Sequence, residues 1–174
     1  GATLVECSLP TFAEIPTLNA PGGFSAVEAF AVHRESLDTQ RALFDPRVAM
    51  RMEPGRHVSA ADYLRLHDRR SDWMVRTEHA LQGFTAFLCP TVPIVAPLLQ
   101  PLLASDETFF AVNGQLLRNT FVVNYLDGCA FSMPCHREGD WPVGLMLAST
   151  RGQDAALAGA ALCIERVLNS SASR

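Results

Sequence analysis

Few side chains in this sequence could break a covalent bond, and none has the neighbours that such chemistry needs. A serine or cysteine nucleophile requires a base within hydrogen-bond reach and donors for the oxyanion. Ser132 stands in an apolar run just before Met133-Pro134, with no G-x-S-x-G elbow around it, so it reads as a strand residue. Cys135-His136 is more tempting, because an imidazole beside a thiol can stabilise the thiolate. On an extended segment, however, adjacent side chains point to opposite faces, so the pair reads as a half-buried thiol next to a turn histidine. Cys129, Cys135 and His136 form one loose group without the two close ligand pairs of a zinc site, and no metal is expected. His33, His57, His67 and His79 stand singly on helices or turns, as surface or capping residues do. Lysine is absent: all 14 basic residues are arginine. The only adjacent serines, Ser170 and Ser171, lie in a tail, and there is no Gly/Ser-rich loop. Pro21-Gly22-Gly23 is too short to cradle phosphate, and Arg151-Gly152-Gln153 lacks the lysine of a P-loop. No catalytic residue and no cofactor is expected.

Binding chemistry remains. Asn124 and Asp127 lie three apart, so on one helical turn they share a face just before Gly128 lets the chain reverse. An amide and a carboxylate so placed can order a loop or contact a substrate amide. The same pair also fits a plain helix C-cap followed by a turn, and both readings stand.

The elements that would position these residues follow from patterning. Residues 2–7 form a short apolar run that Pro10 brings to an end, a candidate first strand. Residues 11–23, with Pro16, Pro21 and two glycines, read as a loop. Ser25 with Glu28 three positions on reads as a capping box, opening a helix to about Arg41. Asp45-Pro46 starts another short helix, which stops at Pro54-Gly55. Ser59 is the best N-cap in the chain, with Asp62 in the first turn; its helix should run to about Gln82, and Gly83 suits the left-handed position beyond. Tyr63, Leu66, Trp73, Met74 and Leu81 make its buried face, and Arg65, Arg69, Arg76 and Glu78 a solvated one. The continuous apolar run 84–89 fits a strand covered on both faces. Prolines 90, 93, 97 and 101 then rule out ladder or helix and give a rigid loop, a common pocket wall. A helix at 117–126, strands at 129–133 and 142–148 joined by the turn 136–140, and a helix at 154–168 complete the chain. That last helix is apolar on nearly every side, a pattern normal for a helix buried between layers. Interleaved strands and helices indicate an α/β layer arrangement with a mixed β-sheet flanked by helices.

Bulk composition bounds the rest. A chain of 174 residues suits one domain, or a large piece of one. Hydrophobic content of 48% with 18% charge excludes wholesale disorder. A net charge near −4 with scattered arginines offers no face to nucleic acid. The apolar runs are far shorter than the roughly 20 residues that span a bilayer, and no charged-then-apolar leader marks the chain for secretion. The 5 cysteines are an odd number, and four of them lie inside apolar runs; buried free thiols in a reducing cytoplasm are expected. The opening GATLVECSLP starts directly as a strand, as the interior of a longer chain would.

The stretch 113–150, NGQLLRNTFVVNYLDGCAFSMPCHREGDWPVGLMLAST, resembles in wording and order the closing segment of the amidase signature family. PTVPIVAP at 90–97 and RGQDAALAGAALCIERVL at 151–168 fit the same pattern. The resemblance covers nearly the whole chain loosely and 113–168 specifically. It implies serine hydrolases of amide bonds, working through an acyl-enzyme with two serines and a lysine. Residues 1–174 would then be a single C-terminal portion of an amidase domain, part of the larger amidase signature fold, lacking that Ser-Ser-Lys triad. It further implies that the segment matching 120–127 lies beside the acyl-binding cavity and the proline loop at its rim. Thr120, Phe121, Asn124 and Asp127 are the substrate-binding candidates carried over, with Thr91 from the loop. The implied partners are a small-molecule amide and either the remaining part of the enzyme or another copy of the chain, covering apolar surface. Departures are Asp127 and Cys129 where many members carry Gly and Pro, His136 for a frequent Gly, and Met146 for a frequent Gln. These leave the substrate class open. Two alternatives are a glutamyl-tRNA amidotransferase A-type subunit, which needs partner subunits, and a non-catalytic binding or structural module.

Overall fold

A computed structural model describes residues 2–20 and 22–172, the side chains of 170–172 excepted. Pro21 and the Ser170 and Ser171 side chains, singled out above, lie outside the described residues. The chain divides into two compact units, Gly1–Thr77 and Glu78–Arg174.

The first unit is helical throughout its described secondary structure. A 3-10 turn Pro10–Glu14 runs into α1 (Ile15–Leu18); α2 (Gly23–Thr39), a turn Arg41–Leu43, α3 (Pro46–Met52) and a turn Glu53–His57 follow, then α4 (Ala60–Ala80), which crosses the unit boundary. Residues 2–7, expected as a strand, form no ladder, and Leu4 and Val5 are exposed. An apolar run becomes a strand only when a second edge takes up its backbone groups, and the described residues of this unit hold no strand. The 11–23 loop is instead mostly helical turns. The capping box at Ser25 is not formed: α2 starts at Gly23, behind a left-handed Gly22, with no side-chain cap. Glu28 accepts a hydrogen bond from the Tyr63 hydroxyl at 2.9 Å. Asp45 caps α3, accepting from the Arg47 and Val48 amides at 2.8 and 3.3 Å. Ser59 caps α4 by accepting from the Asp62 amide at 3.1 Å.

The core of this unit joins Leu37 of α2 to Ala49 and Met52 of α3. Trp73, fully buried on α4, donates its indole N–H to the Thr11 carbonyl at 2.7 Å. Around that core runs a rim of ion pairs. Arg56 bonds Asp38 at 2.5 Å and Glu53 at 3.1 Å, Arg41 also bonds Glu53, and Arg76 holds both oxygens of Glu14 at 2.8 and 2.6 Å. These arginines hold the carboxyls of Glu14, Asp38 and Glu53 below their usual range, chiefly through the hydrogen bonds.

The second unit is a sheet between two helices. Its elements are β1 (Phe87–Pro90), α5 (Leu99–Ala104), α6 (Asp106–Tyr125), β2 (Cys129–Pro134), β3 (Gly144–Ser149) and α7 (Asp154–Ala172). The sheet order is β1-β3-β2, so β3, last in sequence, is central. The expected α/β layering is present, but these strands are antiparallel throughout rather than mixed. Side chains alternate between the two faces. Met133 and Leu147 meet Leu157 and Ala161 of α7 on one face, while Met146 and Ala148 meet Val123 of α6 on the other.

Several boundaries differ from expectation for identifiable reasons. β1 begins at Phe87, not 84, and Leu88 is 38% exposed, so the strand lies at an edge and is not covered on both faces. Pro101 does not forbid helix, because it falls in the first turn of α5, where its missing N–H has no helical partner to lose. α6 begins at Asp106 rather than 117, with Ser105 accepting from the Thr108 amide at 3.2 Å and two acidic residues in the first turn. α7 presents only one stripe to the sheet. Leu157 is fully buried, whereas Leu162 and Val167 are 57% and 62% exposed, so the described residues do not enclose the helix. The thiols, expected to be buried, divide differently: all are free, Cys89 and Cys129 half-buried, Cys7, Cys135 and Cys163 exposed.

Candidate functional site

The last turns of α6 and the end of the sheet carry the residues singled out by sequence. Thr120 is half-buried and donates its hydroxyl back to the Leu117 carbonyl at 3.3 Å. Phe121 stacks on Tyr125, ring centroids 5.8 Å apart, to make an apolar step one helical turn long. Asn124 is the exposed residue of that turn.

Asp127 does not share a helical face with Asn124. α6 ends at Tyr125, and Asp127 sits in the left-handed region at φ 58°. The Gly128 amide donates to the Val123 carbonyl at 3.0 Å and the Asp127 amide to the Asn124 carbonyl at 3.2 Å. That pair of bonds is a Schellman cap. The reversal therefore falls one residue earlier than expected, at the aspartate, whose kind tolerates this conformation better than most. Gly128 serves a different purpose. A Cβ there would lie 2.4 Å from the Ser149 carbonyl oxygen, so glycine allows β3 to approach the helix end.

Thr91 lies at the other end of the sheet, where β1 gives way to the proline loop. Its amide donates to the Gly144 carbonyl at 2.8 Å, and its hydroxyl meets the Ser132 hydroxyl at 2.6 Å. The Asn119 side-chain amide donates to the Pro90 carbonyl at 2.7 Å, bringing that turn of α6 alongside the start of the loop. Thr91 and Ser132 are thus a hydroxyl pair, with Asn119 holding the backbone one residue before it. Thr120 and Phe121 follow directly on α6, whereas Asp127 belongs to the opposite end of the strands.

Sequence reasoning missed Asn119 and Gly144 and assigned Ser132 to the strand alone. Alternation along β2 puts Ser132 on the α6 face, but its meeting with Thr91 depends on β3 lying between their strands. Near this group the Cys89 thiol is pushed up by burial, partly opposed by the Arg118 charge. Cys129 is also pushed up, by burial and then by the charge of Asp154.

Cys135 and His136 do not diverge to opposite faces. The Cys135 thiol reaches the Val143 carbonyl at 3.5 Å, and His136 Nδ1 lies 3.3 Å from the Val143 amide, so both serve the hairpin backbone. Neither is arranged to activate the other. Among the described residues no group of three or more His, Cys, Asp or Glu is placed to hold a metal, and no helix is long and apolar enough to cross a membrane.

A cleft of about 510 Å³ opens at the Ser149 end of the sheet, lined by residues of the α4–β1 connection and the β3–α7 turn. Glu78 and Arg151 pair there at 3.3 Å, and the Ser149 hydroxyl donates to the Thr85 carbonyl at 3.2 Å. None of the five binding candidates lines this cleft. Its lining holds no cysteine or histidine, and its one acid is paired with Arg151.

No protein-family model matches the chain. It is 30% identical over 169 residues to 2-amino-5-chloromuconic acid deaminase of Comamonas testosteroni, covering 97% of this chain and 36% of that protein. Among solved structures it superposes on the allophanate hydrolase of Kluyveromyces lactis with a TM-score of 0.75 at 20% identity, over 94% of this chain and 26% of that one. An amidase gives a TM-score of 0.67 at 21% identity over 86% of this chain and 34% of that one. The chain spans about a third of the length of the curated relative it matches. Over the portion of those enzymes that it spans, this chain has the amidase signature fold.

Proposed function

We propose that these residues form the substrate-side wall of an amidase, a hydrolase of carboxamide C–N bonds working through an acyl-enzyme, whose bond-breaking residues lie outside this stretch. The observation that carries the proposal is joint likeness, in sequence to an enzyme named as a deaminase and in fold to ones named as an allophanate hydrolase and an amidase. Thr91, Thr120, Phe121 and Asn124 are the proposed contacts, while Asp127, at the other end of the strands, is not grouped with Thr91. Hydroxyl and amide groups can hydrogen-bond a carboxamide, and Phe121, half-buried and backed by the buried Tyr125, offers an apolar contact beside them. Burial of such a substrate supplies binding energy, while the chemistry requires a nucleophile, base and oxyanion donors from elsewhere.

The partner that covers the exposed side of α7 is the remaining part of the enzyme or a second copy of the chain, and the setting is the cytoplasm. A glutamine-hydrolysing subunit of a tRNA amidotransferase is the neighbouring reading within the same chemistry. A non-catalytic binding module is favoured by one observation, the absence of any lysine among 174 residues.

Ammonia release separates these readings. The 174-residue chain alone should release none from benzamide, glutamine or 2-amino-5-chloromuconic acid, while the full open reading frame containing it should release ammonia from at least one. Release by the short chain, or none by the full one, would sink the proposal.

A further inference from the structure

We infer that Ser132 is a positioning residue for substrate binding, fixing the Thr91 hydroxyl so that the pair presents one defined donor to an acceptor oxygen of the amide substrate. The inference rests on the amidase reading and adds to it a residue and a role.

The backbone around the Thr91 hydroxyl is fixed by hydrogen bonds. Thr91 is held at its backbone by the Gly144 carbonyl, and the preceding carbonyl of Pro90 by Asn119. β1 and β2 are not neighbours, because β3 lies between them. The two hydroxyls nevertheless meet at 2.6 Å, across β3 at Gly144. A Cβ at 144 would stand 2.6 Å from Ser132 Oγ and 2.7 Å from Thr91 Oγ1, so only glycine leaves room for the contact. Each hydroxyl carries one proton, and their mutual bond uses one of the two. The other proton stays on whichever oxygen accepts, and serves as the donor for a ligand. With Ser132 donating, that free proton is Thr91's, and Thr91 is half-buried rather than closed inside the core.

The test is steady-state ammonia release by the full open reading frame, with benzamide, glutamine and 2-amino-5-chloromuconic acid as probes. Ser132→Ala should raise KM about tenfold, the effect of one ordinary hydrogen bond, with kcat within about twofold. Thr91→Val should do the same, and the double variant should be no worse than Thr91→Val alone, since Ser132 acts through Thr91. Ser132→Thr should restore KM to within about twofold, and Gly144→Ala should raise it. A thermal unfolding midpoint for each variant separates lost binding from lost folding. If the parent hydrolyses an amide while Ser132→Ala keeps its KM, or the two effects multiply in the double variant, this inference falls and the amidase reading stands. If the parent releases no ammonia from any probe, the reading falls and takes the inference with it.

Discussion

The two units are stabilised by different means. In Gly1–Thr77, short helices close over a small core of Leu37, Ala49 and Met52, and a rim of arginine–carboxylate pairs surrounds it. In Glu78–Arg174, a sheet takes one helix on each face, and its contacts are apolar: Met133 and Leu147 on α7, Met146 and Ala148 on α6. The candidate binding residues all lie in the second unit. The difference is in kind of contact: apolar layers hold the second unit's sheet, whereas exposed ion pairs, sensitive to salt and acid, line the first unit.

Core truncations should give the largest effects in both units. Trp73→Ala should cost about 3–5 kcal/mol by removing a fully buried ring and its bond to Thr11, and should reduce hydrogen-exchange protection of the α4 amides. Leu157→Ala should cost about 2–5 kcal/mol and expose the β2 and β3 amides. If Leu157→Ala left sheet protection intact, the sheet would not depend on α7 and the comparison would fail. A smaller effect, about 1 kcal/mol, is expected from Asp45→Ala, which removes the α3 cap; a guanidinium titration reads it as a shifted midpoint with unchanged slope.

Acid should produce the gentlest response, one confined to the charged unit. The carboxyls of Glu14, Asp38 and Glu53 titrate lower folded than unfolded. Their contribution is therefore present above the unfolded values near pH 4, and is lost as pH falls through the lowered folded ones. Amide protection factors in α2 to α4, taken relative to the intrinsic exchange rate at each pH, should fall across that window, and added salt at neutral pH should mimic part of the change. Equal acid sensitivity of β2 and β3 would erase the distinction between the units.

Elements whose signals are local were legible in the sequence. The caps at Asp45 and Ser59, the β2–β3 hairpin and the apolar stripe of α7 each follow from neighbouring residues. Ser105-Asp106-Glu107 also announced the start of α6, but the prolines before it drew the reading toward loop. Residues 2–7 have a strand's composition, yet composition cannot supply a pairing edge. The enclosure expected for α7 failed for a related reason, because Leu162 and Val167 on its second apolar side stay largely exposed among the described residues. Of the site, the α6 residues were placed on their element, and Asp127 was misassigned because the left-handed turn was given to the glycine beside it. Ser132 and Gly144 became visible only when β3 lay between β1 and β2, a non-local fact.

That strand order also bears on synthesis. Because the central strand is the last of the three to be translated, β1 waits without its partner while the α5–α6 region and β2 emerge, at about 5–20 residues per second. For those seconds on the ribosome two open strand edges coexist without the segment that joins them, a natural opening for chaperone capture or for pairing with the wrong nascent chain.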